Sequence, residues 1–111
     1  MGRYLVTMES PPAPLEECEK CGPFWKEALS EYGDVTPLRD FANISEGRYV
    51  GVFEAPSADR VRALFDGFDR KIKASGLFPT APEGQCALDI WAIEFETDGT
   101  NIVYQAEPAR A

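Results

Sequence analysis

Residues 36–74 read as strand, turn, strand and helix, and this order constrains the fold more than any other part of the chain. Residues 36–44 and 48–55 are rich in β-branched and aromatic side chains, and the short loop between them ends in Gly47. A loop of this length with a left-handed glycine commonly joins antiparallel strands. A proline then ends the second strand, and Ser57 follows as a typical helix N-cap. Apolar residues recur behind it at helical spacing: Val61, Leu64, Phe65, Phe68 and Ile72.

The segments on the N-terminal side predict one strand and two helical pieces. Residues 3–9 alternate in character, which is typical of a half-buried strand. Apolar residues then follow a helical stripe through residues 14–32, but Gly22 and Pro23 interrupt it. We therefore expect a short helical turn over residues 15–21 and a second helix that begins at Pro23.

The C-terminal part predicts a helix end and a hairpin. Gly76 suits a left-handed C-cap for a helix over residues 58–75. Residues 85–96 predict the next strand and residues 101–107 a fifth one, joined by a two-residue type I′ turn at Asp98-Gly99. The resulting order is β-α-β-β-α-β with an added C-terminal hairpin strand. This is the ferredoxin-like α+β arrangement, with both helices on one face of the sheet.

Length and composition predict a single domain over residues 1–111, with residues 108–111 frayed. The apolar runs are far shorter than the ~20 residues that a membrane-spanning helix needs, so no membrane partner is expected. The N-terminus does not resemble a signal peptide, and we expect a cytoplasmic protein. The formal net charge of −8 argues against nucleic acid as a partner, because phosphate binding relies on clustered Lys and Arg.

Histidine is absent from the chain, and this excludes several kinds of site. Acid–base catalysis by histidine, Ser-His-Asp and Cys-His nucleophile systems, and haem held by a proximal histidine all require that residue. No other compositional fact in the chain discriminates as strongly between kinds of chemistry.

Both faces of the predicted sheet are apolar, and this predicts a partner. In the strand at residues 85–96, apolar side chains alternate to both sides. Two helices can cover only one face, so a monomer would leave a large aromatic patch in water. We expect a homodimer in which the partner's sheet covers the non-helical face. The residues expected on that face are Trp91, Ile93, Phe95 and Phe53.

The element order, the two-faced strands and the opening RYLVTM at residues 3–8 resemble the dimeric α/β-barrel superfamily. That superfamily includes muconolactone-isomerase-like proteins and cofactor-free antibiotic-biosynthesis monooxygenases. The resemblance spans nearly the whole chain and implies a homodimer that needs no cofactor. If the protein is an enzyme, it implies an isomerase, a cyclase or a monooxygenase. Members that degrade haem or use a His–Asp pair are set aside because histidine is absent, and no catalytic residue set carries over.

Asp89 and Trp91 are the first candidates for a site. They share a strand face on the side assigned to the barrel interior, where a carboxylate could act as general base or acid. The alternative for Asp89 is a solvated carboxylate, or one paired with an arginine. Arg39 could hold an anionic group of a ligand in a bidentate manner. Its alternative is an edge-strand arginine that guards against aggregation.

Tyr4 and Tyr49 complete the candidate set, because their hydroxyl groups could line a pocket. Tyrosine is also an ordinary strand residue, so packing is the alternative for both. Glu94 and Glu96 are expected to face solvent near the hairpin. Gly51 would mark a bulge, or a close approach of a ligand or a partner's backbone.

Cys18 and Cys21 form a Cys-x-x-Cys motif with more than one interpretation. As a zinc site it lacks a second pair, since Cys86 is the remaining thiol. As a redox pair it precedes a helix start, but nearby glutamates disfavour the thiolate. Both positions lie on an apolar helical stripe, where cysteine packs as a small hydrophobe. Packing is the favoured interpretation.

Three functional hypotheses follow. The first is a homodimeric α/β-barrel protein that binds a small aromatic or carbonyl-bearing molecule between sheet and helices, with Asp89 as the base and Trp91 and Tyr49 shaping the pocket. The second is a non-catalytic dimeric ligand-binding or interaction module whose cavity its own side chains fill. The third is a thiol-redox or metal protein that uses Cys18 and Cys21. An open pocket around Asp89 would favour the enzyme, and a filled one the module.

Overall fold

The computed structural model describes residues 1–10, 15–76 and 87–107, without the side chains of Glu17 and Cys18. The strands in these ranges are β1 (Gly2–Glu9), β2 (Thr36–Asn43), β3 (Arg48–Ala55), β4 (Ala87–Ala92), β5 (Phe95–Thr97) and β6 (Ile102–Gln105). The helices are α1 (Leu15–Lys20), α2 (Gly22–Glu31) and α3 (Ala58–Ser75), and a 3₁₀ turn over Ile44–Glu46 joins β2 to β3. The predicted fraying of residues 108–111 lies outside the described residues.

Four strands form an antiparallel sheet in the order β2-β3-β1-β4. The central strands are β1 and β3. The connection from β1 to β2 passes through α1 and α2, the connection from β3 to β4 contains α3, and each crosses over one strand of the sheet. This topology is the ferredoxin-like α+β fold, so the predicted fold class is confirmed.

Local capping signals set the ends of α3 and of the first hairpin. The Ser57 hydroxyl accepts a hydrogen bond from the Arg60 backbone N–H at 3.3 Å, which satisfies one open donor at the helix start. Gly76 ends α3 in the left-handed conformation at φ 68°. Gly47 adopts the same conformation at φ 69° before β3, so the predicted hairpin is confirmed. No helix within the described ranges is both long and apolar enough to cross a membrane.

One face of the sheet packs against α2 and α3 through an aromatic cluster. Phe53 on β3 is fully buried, and its ring centroid lies 5.4 Å from that of Phe65 on α3. The ring centroid of Trp25 on α2 lies 5.4 Å from Phe65 and 5.1 Å from Phe68. Tilted and edge-to-face contacts of this kind are favourable for aromatic rings. The other buried residues of this core are Val6, Ala28, Val35, Ala55, Val61 and Leu64.

The prediction that Phe53 lies on the non-helical face is wrong. The register places Phe53 opposite Tyr4 of β1, on the face that the helices cover. The side chains of β3 on the other face are Arg48, Val50, Val52 and Glu54. Side chains of β3 alternate between the two faces of the sheet, and both faces carry apolar residues. The sequence pattern alone therefore does not show which face packs against the helices.

The strand predicted over residues 85–96 is two strands. β4 ends at Ala92, and the Ile93 backbone N–H then donates to the Arg3 carbonyl oxygen at 2.9 Å. β5 follows and pairs with β6 in a separate two-stranded sheet. The added C-terminal strand therefore pairs with residues 95–97 as predicted, but within the described part of the chain it does not extend the four-stranded sheet.

The turn between β5 and β6 is not the predicted type I′ turn. That turn needs positive φ at both central residues, and Gly99 has it at φ 102° while none of the described non-glycine residues does. The Asp98 carboxylate instead accepts hydrogen bonds from the backbone N–H groups of Thr100 and Asn101, at 2.9 and 2.8 Å. This side-chain capping lengthens the loop to residues 98–101.

Replacing Gly51 with alanine should destabilise the protein. A Cβ atom there would lie 2.6 Å from the Tyr49 hydroxyl oxygen and 2.7 Å from a ring carbon of Phe53. Because both rings also contact Phe65, neither can move freely. We expect Gly51→Ala to lower the free energy of unfolding by about 1–3 kcal/mol, the usual cost of overpacking a core. Urea denaturation followed by circular dichroism measures this change.

Gly22→Ala is the matched control, because among the described residues, apart from its chain neighbours and the nearby backbone of its own helix, no atom lies within 4 Å of a Cβ atom placed there. Alanine restricts the unfolded chain, so this variant should be unchanged or more stable by up to about 1 kcal/mol. A Gly51→Ala protein as stable as the control would contradict the close packing of the two rings around Gly51.

Candidate functional site

The face of the sheet that points away from the helices carries the candidate site, and we call it the open face. Neighbouring strands place its side chains in rows that run across the sheet. The end row contains Asn43, Arg48, Glu9 and Ala87. The first row contains Phe41, Val50, Thr7 and Asp89, and the second row contains Arg39, Val52, Leu5 and Trp91. The third row contains Thr36, Glu54, Arg3 and Ile93.

The β5–β6 hairpin folds over the third row and is held there by one carboxylate. Arg3 Nη1 donates to Glu96 Oε2 at 2.7 Å, and Arg39 Nη2 donates to Glu96 Oε1. The Arg3 backbone N–H also donates to the Tyr104 hydroxyl oxygen at 3.2 Å. The Arg3 guanidinium carbon lies 4.4 Å from the centre of the Tyr104 ring. Because Glu96 and Tyr104 are cross-strand neighbours, both strands of the hairpin contact Arg3.

The Glu96 side chain is only 8% exposed, and two guanidinium groups balance its charge. Burial raises the pKa of Glu96, but hydrogen bonds from Arg3 and Arg39 outweigh it, so the pKa lies below its ordinary value. The hydrogen bond to Glu96 in turn raises the pKa of Arg3. Arg3 Nε also lies 3.8 Å from Glu54 Oε2, an ion pair too long for a hydrogen bond. We call Arg3, Arg39, Glu54 and Glu96 the arginine–glutamate cluster.

The hairpin leaves much of the open face uncovered. Val52 and Ile93 are 5% and 7% exposed, and we attribute their burial to the hairpin because it is the described element that contacts this face. Phe41, Val50 and Trp91 are 68%, 38% and 51% exposed. Exposed apolar side chains grouped on one side of a protein are typical of a binding surface. The hairpin adds three more of them: Phe95, Ile102 and Val103.

A depression of about 410 Å³ lies where the chain leaves the four-stranded sheet. Within the described part of the chain, its lining is the consecutive run Trp91, Ala92, Ile93, Glu94 and Phe95. The break between β4 and β5 produces it, because the backbone bends away from the sheet at this point. The volume lies in the range of small-molecule sites, and the indole ring supplies a flat apolar wall.

The five site residues predicted from the sequence lie on opposite faces of the sheet. Asp89 and Trp91 are exposed neighbours on the open face of β4, and Arg39 lies on the same face at the far edge, on β2. Tyr4 and Tyr49 face the helices and pack against the core. The structure therefore brings Asp89 and Trp91 together, and it separates both tyrosines from them.

Tyr49 occupies a packing position beside Asp40. Its hydroxyl donates to Asp40 Oδ2 at 3.0 Å, and its ring centroid lies 6.1 Å from that of Phe65. Burial, together with the negative charge of Asp40, raises the pKa of Tyr49 above its usual range. The hydroxyl therefore keeps its proton and acts as a hydrogen-bond donor at the edge of the core.

Sequence reasoning missed Glu96, which is central to this surface. We expected Glu94 and Glu96 to face solvent, and Glu94 does, but the Glu96 side chain points from the hairpin to the sheet and is only 8% exposed. Its partners Arg3 and Arg39 lie 93 and 57 residues away in the chain, so no local pattern connects them. The alternation of Ile102 and Tyr104 indicates an inward face for the hairpin, but it does not identify what that face contacts.

The structure describes only part of the Cys-x-x-Cys motif. Cys21 is half-buried just before α2, whereas the side chain of Cys18 and all of Cys86 lie outside the described residues. Among the described residues, no three His, Cys, Asp or Glu side chains are grouped as a metal site requires. The redox and metal hypothesis stays a prediction.

Lowering the pH should weaken the attachment of the hairpin. The folded-state pKa of Glu96 lies below the ordinary value of 4.5, so Glu96 contributes stability above that value and loses it as the pH falls through the folded-state pKa. Glu96→Gln removes the contribution at every pH. We expect this variant to lose about 1–3 kcal/mol of unfolding free energy at neutral pH, and far less in strong acid. Urea unfolding of both proteins at both pH values measures the difference.

Glu94→Gln is the matched control, because Glu94 is exposed on the same segment. Hydrogen bonds from Arg60 lower the pKa of Asp34, and backbone N–H groups lower that of Asp98, so the wild type also loses other contributions in acid. Comparing the two glutamate variants isolates Glu96. Equal stability of both variants at neutral pH would show that Glu96 does not fix the hairpin.

Comparisons with known proteins give no family for this chain. No family model matches it, and no curated protein matches it. Among solved structures it is similar to the de novo designed protein Ferredog-Diesel, at 14% identity and a TM-score of 0.48, over 82% of this chain and 86% of that one. It is also similar to a de novo designed protein with a ferredoxin fold, at 9% identity and a TM-score of 0.47, over 98% of this chain and 97% of that one. Both TM-scores are below 0.5, so the fold assignment rests on the strand order and the helical connections and not on these similarities.

Proposed function

We propose that the protein is a homodimer in which two open faces pack against each other. The observation that carries this proposal is the exposure of Phe41, Val50 and Trp91 on a sheet face that the described helices do not cover. Burying such side chains contributes about 25 cal/mol per Å² of apolar area removed from water. Sheets commonly bury a face of this kind against a second sheet about 10 Å away. A second copy supplies that sheet, and the resemblance to the dimeric α/β-barrel superfamily implies the same assembly.

The proposed dimer acts as a ligand-binding or interaction module. The space between sheet and helices holds the rings of Trp25, Phe53 and Phe65. Asp89, the general base of the enzyme hypothesis, lies exposed on the open face rather than within that space. Both observations favour the module over a cofactor-independent isomerase, cyclase or monooxygenase, because a general base must reach a positioned substrate.

The ligand we propose for the module is a small aromatic or carbonyl-bearing molecule that binds in the depression beside Trp91. An aromatic ring can stack on the part of the indole that lines the depression, and the depression has the volume for a molecule of this size. Arg39 lies in the same row but three strand spacings away, about 14 Å. It is also engaged by Glu96, so the proposed site does not include it.

Phe41→Glu should convert the dimer into a folded monomer. The wild type is expected to sediment as a dimer at micromolar concentration. A charge placed in the buried interface costs several kcal/mol, which raises the dissociation constant at least ~100-fold. Phe41 is largely exposed within one chain, so the monomer should keep its fold. Sedimentation velocity measures the association, and circular dichroism checks the fold.

Leu15→Glu is the matched control for this experiment. Leu15 is an exposed apolar residue on α1, which contacts α2 and lies outside the open face. The same charge added there should leave the protein dimeric. A wild-type protein that sediments as a monomer at micromolar concentration would overturn the proposal.

Ligand binding is tested separately by an NMR titration with acetophenone, which is aromatic and carries a carbonyl group. We expect a saturable shift of the Trp91 indole N–H signal. The Trp25 indole signal is the internal control and should stay in place, because Trp25 packs within the core. Equal shifts of both signals, or no saturable shift of either, would contradict a site beside Trp91.

A further inference from the structure

We propose, as an extension that rests on the proposed dimer, that its two-fold axis runs across the strands and places each hairpin over the end row of the partner's sheet. Two sheets that pack face to face in a symmetric dimer are related by an axis that lies between them, parallel to both. That axis can run along the strands or across them. The β5–β6 hairpin distinguishes these two arrangements, because it occupies only one end of the open face.

The hairpin makes the two ends of the open face unequal in height. It stands on the third row, where the arginine–glutamate cluster holds it. The end row at the other end carries the exposed side chains of Arg48 and Glu9. An axis along the strands would set third row against third row, and the two hairpins would occupy the same space. An axis across the strands sets the third row of one copy against the end row of its partner, so the hairpins lie at opposite ends of the interface.

The size of the open face favours the same arrangement. Four strands span about 19 Å, and the end, first and second rows span about 20 Å along the strands, which gives roughly 400 Å² in projection. A stable interface buries about 800 Å² on each partner. The exposed apolar residues on the outward face of the hairpin enlarge the interface towards that size when they are buried with the sheet face. An axis across the strands brings these two residues onto the partner: Phe95 and Val103.

Charge favours this axis as well. The hairpin carries the exposed carboxylates of Glu94 and Asp98, so two hairpins placed side by side would repel each other. Arg48 in the end row makes no ion pair within the described part of the chain and is exposed. A hairpin above the partner's end row brings its carboxylates towards the partner's Arg48. Opposite charges at the rim of an interface fix its register and speed association more than they add affinity.

The test is an isotope-filtered NOE experiment on a mixed dimer of labelled and unlabelled wild-type protein, which detects contacts between subunits only. We expect NOEs from the methyl groups of Val103, on the outward face of the hairpin, to protons of the partner's end row, Ala87 among them. A dimer whose NOEs join the two hairpins, or that shows none from the hairpin to the partner, overturns this axis. A monomer in sedimentation overturns the proposed dimer itself, so the two failures are distinguishable.

A charge variant provides a second readout. Arg48→Glu should raise the dissociation constant about tenfold, because it places a carboxylate beneath the partner's acidic hairpin. Lys26→Glu makes the same charge change on the exposed surface of α2 and should leave the dissociation constant within about twofold, since surface charges outside an interface contribute little. Equal dissociation constants for the two variants would overturn the proposed position of the hairpin.

Discussion

The carboxylate of Glu96 accepts hydrogen bonds from Arg3 and Arg39 and fixes the hairpin against the sheet. The position of the hairpin in turn sets how much of the open face is covered within one chain. The two arginines lie on β1 and β2, with β3 between them. The Glu96 side chain therefore links the hairpin to a part of the sheet that is three strands wide. A carboxylate with so little exposure to water would be costly without partners, and two guanidinium groups offset that cost. Because the cluster sits at the second and third rows, the hairpin buries Val52 and Ile93, while Phe41 and Val50 in the first row stay exposed.

The two faces of the sheet have different roles, although the sequence makes both apolar. On the helical face, Phe53 and Phe65 belong to a closed aromatic core that requires nothing from outside the chain. On the open face, Phe41 and Trp91 remain in contact with water at opposite edges of the sheet. A sheet that buries one face and exposes apolar residues on the other has room for a further layer on its exposed face. The functional proposal follows from this imbalance rather than from any group of catalytic residues.

Local signals predicted most of the fold, because the groups that satisfy them lie within a few residues. Ser57 caps a backbone N–H three positions ahead, and Gly47 and Gly76 adopt the left-handed conformation that their positions require. Features set by distant contacts were not predictable in this way. The sequence around Glu96 is typical of a surface residue, because both arginines that bind it are distant in the chain. The predicted type I′ turn does not form, because the Asp98 carboxylate caps the loop instead. The same holds for the candidate site. The alternation of side chains along the strands does not show that Tyr4 and Tyr49 face the helices.

Hydrogen exchange at single amides shows directly whether Glu96 fixes the hairpin onto the open face. The Arg3 N–H donates to the Tyr104 hydroxyl across the contact between sheet and hairpin, and the Ala106 N–H donates to the Glu94 carbonyl within the hairpin. An isolated two-stranded hairpin is only marginally stable, so both amides report on its attachment. In Glu96→Gln we predict that both exchange at least ~10-fold faster, while the Trp25 N–H inside α2 keeps its rate, because the opening is local. Unchanged exchange at Arg3 and Ala106 would show that Glu96 does not fix the hairpin. Equal acceleration at Trp25 would show that the opening is global rather than local.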